Sequence, residues 1–303
     1  MSATTAAATS SFAGRDPAVA AALNRRRRIV DGLVRWLCII ATAIGLFFLA
    51  SILLTLIVRG VSSISLITFT TEFRPTTYGE PDAETGGLYH AIMGTLMQTA
   101  IGTGIGTPIG LLVGTYLAEY ARNSALGNAV RFVSDVLLSA PSILVGLFVY
   151  QLVVLPMGGF SGIAGGAALA ILVIPVVVRT TEDMLQLIPN TLREAVVGLG
   201  APKWKMVTLV CWRAALSGIV TGILLATARI TGETAPLLLT SFGNNVTSFD
   251  LGSAMASLPI AIYQQANSGF PDLIDIAWAG ALIVTFGVLA INIVARLLLA
   301  GRK

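Results

Sequence analysis

Six long apolar runs punctuate the chain, at roughly Leu33–Val58, Ala91–Leu117, Phe132–Leu155, Gly162–Val178, Ala214–Leu239 and Ile276–Leu299. At about 1.5 Å of rise per residue, runs of this length suit the about 30 Å of a bilayer's hydrocarbon. The pattern predicts an all-α, polytopic integral membrane protein with six transmembrane helices. The first run continues too far to be the short core of a cleaved signal peptide, so it is expected to persist as a helix. The 24 residues before the Arg25 to Arg28 block are rich in Ala, Ser and Thr and carry no apolar period. They are expected to form a disordered cytoplasmic tail. Residues 25–87 then hold the first span and an external loop, and residues 88–303 the main membrane domain.

Composition agrees: 55% of the 303 residues are apolar and only 11% charged, with a mean hydropathy of +0.84. A soluble domain is charged at about a quarter of its positions. The formal charge of +4 does not point to nucleic acid, because Lys and Arg gather on cytoplasmic loops for topological reasons. With both termini placed inside and six crossings made, sixteen of the nineteen Lys and Arg fall on the cytoplasmic side. Arg59 and Arg74 fall outside, and Arg229 lies within the fifth run. Arg25 to Arg28 also suit anionic lipid headgroups. The external loops carry Glu72, Glu80, Asp82 and Glu84, and later Asp250, Asp272 and Asp275. A short surface helix is expected around Ala254 to Ala266. Cys38, Cys211 and the single His90 support neither a disulfide framework nor a metal site.

Two regions carry candidate chemistry. The longest cytoplasmic loop, about residues 179–213, reads as a polar helix, a glycine-permitted bend and a second helix, with Pro189 and Pro202 near the two starts. Such a loop is either a handle for a cytoplasmic partner or an ordinary solvated connection. The second region is Arg229 and Glu233 inside the fifth run, four apart and so one turn apart on one helix face. A charge near the bilayer centre costs at least about 2.5 to 3.5 kcal/mol on insertion scales, so such residues face a bundle interior or a polar path. Arg offers a fork of donors for an oxyanion, and Thr231 and Thr234 add hydroxyls. The plainer reading is a structural ion pair. Gly102, Gly104, Gly106 and Gly110 are expected to permit close helix packing rather than to cradle phosphate. Glu119 and Asp135 are expected to be solvated anchors at span ends, and His90 and Tyr89 to sit at the interface.

Glu194-Ala195, with Gly200 six residues after the Glu and Gly218-Ile219 at the next span, resembles the EAA loop of ABC importer permeases. Val196 stands where that motif has a second Ala, and the Leu-Pro that often closes it is missing. The run from Ala228 to Leu238, Ala-Arg-Ile-Thr-Gly-Glu-Thr-Ala-Pro-Leu-Leu, is similar to the A-R-x-x-G-E-T-A-P-L-L segment of phosphate-specific ABC permeases of the PstA type. The resemblance spans roughly residues 88–300 and includes Pro108 to Gly110, Tyr116 to Tyr120, Pro141 to Ile143 and Gly146 to Tyr150. It implies a type I ABC importer permease fold with an ABC transmembrane type-1 domain over 88–303, in a bacterial inner membrane. It also implies that Glu194, Ala195 and Gly200 couple to an ATPase. The implied complex holds a second, homologous permease, two ATP-binding cassette subunits and an extracytoplasmic phosphate-binding protein.

The chain has no G-x-x-x-x-G-K-[ST] sequence, and its only lysines are Lys203, Lys205 and Lys303. It therefore supplies no P-loop, and Mg-ATP is expected on the partner ATPase, with no cofactor on this chain. The expected role is a non-enzymatic permease that moves phosphate past Arg229 and Glu233 by alternating access. Alternatives are a permease for molybdate or sulfate, an ATP-independent secondary transporter or channel, and a membrane scaffold.

Overall fold

A computed structural model describes residues 17–74 and 86–300, with side chains over 27–74 and 86–297. Glu80, Asp82, Glu84, Arg302, Lys303 and the tail before Pro17 lie outside the described residues. Packing divides the chain into a unit ending at Thr55 and a second unit, Leu56–Lys303. Helix α1 runs over Pro17–Ser63, so residues 17–24 are helical rather than part of a disordered tail. Pro17 suits a first helical position, and the Ala-rich stretch after it has high helix propensity. A short α2 follows at Leu66–Thr70.

The second unit is built around α3 (Tyr89–Glu119) and α6 (Gly162–Gln186). Gly102, Gly106, Gly110 and Gly114 form a stripe at every fourth residue of α3 and meet Leu169, Val173, Val177 and Thr181, also four apart, on α6. A Cβ on any of the four would lie 2.6 to 2.7 Å from its nearest α6 atom, so the stripe has to be glycine. The close-packing expectation holds for Gly102, Gly106 and Gly110, whereas Gly104 meets nothing within 4 Å.

Because both series climb together, α3 and α6 are parallel. That fixes the path of the segment between them. The third apolar run is not one straight helix but α4 (Ala125–Ser139) and α5 (Ser142–Met157), bent by 105°. The break follows from Pro141, which holds Ala140 in extended backbone (φ −68°, ψ 139°). Arg131 of α4 bonds to carbonyls at the Glu119 end of α3, while α6 begins near the opposite end, with Gly165 against Gln98. The bent pair must therefore carry the chain across the bilayer. Five straight spans and this broken one make six among the described residues.

The fifth span, α8, runs over Lys203–Thr231, so the expected second loop helix is continuous with it. It packs antiparallel to α6, with Gly218 on Met184 and Gly222 on Thr180. The fifth apolar run, expected to continue to Leu239, stops as a helix at Thr231, and a separate α9 covers Ala235–Thr240. Gly232 closes α8, and Pro236 lies in the first turn of α9, where a missing N–H does least harm. Helix α10 (Leu258–Ala266) falls within the segment expected to be helical, but only one side of it, with Tyr263, Gln264 and Ala266, is at the surface. Leu258, Ile260 and Ala261 are buried, and the Leu258 N–H donates to Thr95 Oγ1 at 2.7 Å. Helix α11 (Pro271–Ala300) returns toward the Glu119 end. His90, at the start of α3, is 4% exposed and lies beside the Phe73 ring.

Candidate functional site

Arg229 occupies the last turn of α8, where the helix dipole favours a cation. The neighbouring Ile230 packs against Gly102, thirteen residues into α3, which puts this turn about 20 Å along a 31-residue helix. Arg229 is thus near the middle of the spans. Beyond Thr231 the Gly232 N–H turns back to the Arg229 carbonyl at 3.3 Å and the Glu233 N–H to that of Ile230 at 3.2 Å. Glu233 has left the helix, so the two charges do not share a continuous helical face. They still approach, with Arg229 Nε 3.9 Å from Glu233 Oε1. That is an ionic contact too long for a hydrogen bond.

The arginine is 45% exposed and the glutamate 16%. Among the described residues nothing accepts a hydrogen bond from the Arg229 guanidinium, so its five donors remain free for a ligand. Thr231 Oγ1 donates to the Thr227 carbonyl at 2.8 Å, which leaves the hydroxyl oxygen to accept. Thr234 precedes α9, and its hydroxyl does not cap that helix. Thr103 of α3, which the sequence did not single out, lies with its hydroxyl 3.4 Å from that of Thr227.

The second candidate element is α7, Asn190–Gly198. Glu194 and Ala195 are exposed on it, as are Leu192, Val197 and, beyond its end, Leu199 and Trp204. Helix α7 closes with two bonds, Gly200 N–H to the Val197 carbonyl at 2.9 Å and Ala201 N–H to that of Val196 at 3.4 Å. This is a Schellman turn, and Gly200 takes the left-handed φ of +79° that it demands. The glycine of the loop motif thus has a backbone reason, and the Glu an outward orientation.

Arg193, one residue before Glu194, points the other way. It is 13% exposed and donates to the Leu185 and Ile188 carbonyls at 2.6 and 2.5 Å, and to Glu119 Oε1 at 2.8 Å. Glu119 is 4% exposed and is no solvated anchor; Asp135 is exposed, as expected. Nearby, Arg131 pairs with Glu182 at 2.7 Å, the latter 2% exposed. These partners stand 74 and 51 residues apart in sequence, and no local spacing signals them. At the opposite end of the bundle Glu72 Oε1 accepts the Thr247 N–H at 2.8 Å. That backbone bond holds the Glu72 carboxyl below the ordinary carboxylate range.

Residues 106–301, which take in α7, Gly200 and the Arg229 break, match the family described as the binding-protein-dependent transport system inner membrane component. The chain belongs to that family. It is 51% identical over 271 residues to the phosphate transport system permease protein PstA of Pasteurella multocida, covering 89% of this chain and 95% of that one. The PstA protein of Haemophilus influenzae is 49% identical over 277 residues, covering 91% and 96%. Among solved structures, an inward-facing MetNI methionine ABC transporter aligns with a TM-score of 0.57 over 72% of this chain and 94% of its own, at 19% identity. The permease fold is therefore shared beyond the reach of close sequence similarity.

Proposed function

We propose that this family member is the permease subunit of an ATP-driven importer of inorganic phosphate. The observation that carries the site assignment is the Arg229 guanidinium at mid-depth, free of hydrogen-bond partners among the described residues and only loosely held by Glu233. When the path is empty, Glu233 offsets the cation's charge; when phosphate arrives, the guanidinium fork replaces water around its oxygens. Thr231 and Thr234 contribute hydroxyls beside it. The names borne by the close relatives favour phosphate over molybdate or sulfate.

Energy comes from outside this chain, which has no P-loop. Two ATPase subunits carrying Mg-ATP dock on the exposed face of Glu194 and Ala195, and the turn at Gly200 keeps that face oriented. A second permease encloses the path, and an extracytoplasmic binding protein delivers phosphate. The Lys and Arg distribution favours a cytoplasmic position for α7 and both termini. Closure of the ATPases moves the α7 elements together and switches the spans between inward-facing and outward-facing states.

The purified complex in vesicles tests this directly. Labelled phosphate is expected to enter only with Mg-ATP and binding protein present, with excess sulfate or molybdate failing to compete. Competition by either anion at equal concentration would move the substrate to another oxyanion. Uptake without ATP would sink the importer reading.

A further inference from the structure

The last turn of α3 collects cations from three other segments. Arg193 of α7 bonds to the Glu119 carboxylate through Nε at 3.2 Å and Nη2 at 2.8 Å. Lys203, the first residue of α8, donates to the Glu119 carbonyl at 2.5 Å and lies 4.4 Å over the Tyr120 ring. Arg131 of α4 donates from Nη2 to the Leu117 and Ala121 carbonyls at 3.2 and 3.4 Å, while its Nε holds Glu182 of α6. A helix C-terminus leaves its final carbonyls without intrahelical partners and carries partial negative charge, so each contact is favoured where it stands. Glu119 alone adds a full negative charge, and it is buried.

Such an arrangement exceeds what capping one helix needs. Arg193 leaves little play between α7 and the bundle, because its other donors are committed to the Leu185 and Ile188 carbonyls at the end of α6. A push on the exposed Glu194 side of α7 is therefore delivered through the adjacent Arg193 to α3 and α6 together. These are the two helices locked by the glycine stripe that leads toward Gly102 and Ile230, beside Arg229.

From this we infer that Glu119 is a positioning residue for energy coupling: paired with Arg193, it ties the ATPase-facing helix α7 to α3, so that movement of α7 becomes movement of the α3–α6 pair. The inference rests on the importer reading above. Glu119 touches neither phosphate nor ATP, and its removal is expected to slacken the linkage without emptying either site.

The test measures phosphate transported per ATP hydrolysed in vesicles holding the full complex and its binding protein, for wild type, Glu119→Ala, Glu119→Gln and Arg193→Lys. Copurification of the ATPase and thermal melting are followed in parallel. The expected result for Glu119→Ala is an assembled complex that hydrolyses ATP while phosphate moved per ATP falls by about tenfold or more. Glu119→Gln, which keeps the acceptor oxygen and the volume, should fall between, and Arg193→Lys, which keeps the charge but loses the fork, should also lose coupling. Should Glu119→Ala fail to accumulate, Glu119→Gln carries the test alone. Wild-type phosphate per ATP in Glu119→Gln and Arg193→Lys, with only the melting temperature lowered, would reduce the pair to a structural clamp and overturn the inference. A wild-type complex showing no ATP-dependent uptake would overturn the importer reading itself.

Discussion

Arg229 and Glu233 show how four residues of sequence spacing acquire meaning only from the backbone between them. On a continuous helix the pair would be a routine one-turn ion pair. Here the helix ends at Thr231, the carboxylate stops 3.9 Å short of the guanidinium, and the cation stays available. Gly200, just past the end of α7, is the complementary case. Its φ of +79° is cheap for glycine and strained for any residue with a Cβ. Gly200→Ala meets no neighbouring atom within 4 Å, so the expected cost is conformational, about 1 kcal/mol. It should appear as reduced ATPase binding to the purified permease at unchanged membrane abundance; affinity equal to wild type would mean that the turn does not set the docking face.

At the scale of elements, much of the architecture is legible in the apolar runs. Their number and the packing role of Gly102, Gly106 and Gly110 on α3 follow from residue pattern, because lipid demands long apolar helices and close packing demands small residues. The breaks are harder to read. Pro141 and Pro236 stand in plain view, but a proline within an apolar run is compatible with a straight, a kinked or a broken span until its neighbours are known. The buried pairs are not legible at all. Glu119 looks like the solvated end of a span, Glu182 carries no local signal at all, and only the folded bundle brings Arg193 and Arg131 to them. The buried face of helix α10 is hidden for a related reason, since a polar, charge-poor loop gives no local sign that its apolar residues fold back into the bundle. Removing one member of a buried pair strands the other. Arg131→Gln leaves Glu182, 2% exposed, without its charge partner, and a loss of about 3 to 5 kcal/mol is expected. Thermal unfolding in detergent should register it as a clearly lowered melting temperature, whereas an unchanged one would show that Glu182 finds compensation elsewhere.

The molecule as a whole separates two tasks along its length. In the proposed function, one end presents the exposed Glu194, Ala195 and an apolar rim to an ATP-bearing partner, and Arg229 in the middle receives the anion. Parallel, glycine-locked α3 and α6 run between them. The broken third span returns the chain across the bilayer so that these two helices can lie side by side in the same direction. Membership of the binding-protein-dependent transport family agrees with that division of labour. The proposed function asks of this chain no covalent step, only an exposed face that moves and a charge reached by turns from each side.

Uptake of labelled phosphate by cells lacking this chain, restored with wild type or with Arg229→Gln at matched membrane abundance, asks whether the mid-membrane cation serves phosphate entry. Wild type is expected to restore uptake and Arg229→Gln to reduce it by at least about tenfold, the loss of a charge-assisted fork being about 1.5 kcal/mol or more. Full uptake through Arg229→Gln would contradict the role of the mid-membrane cation, and failure of wild type to restore phosphate entry would contradict the transport assignment.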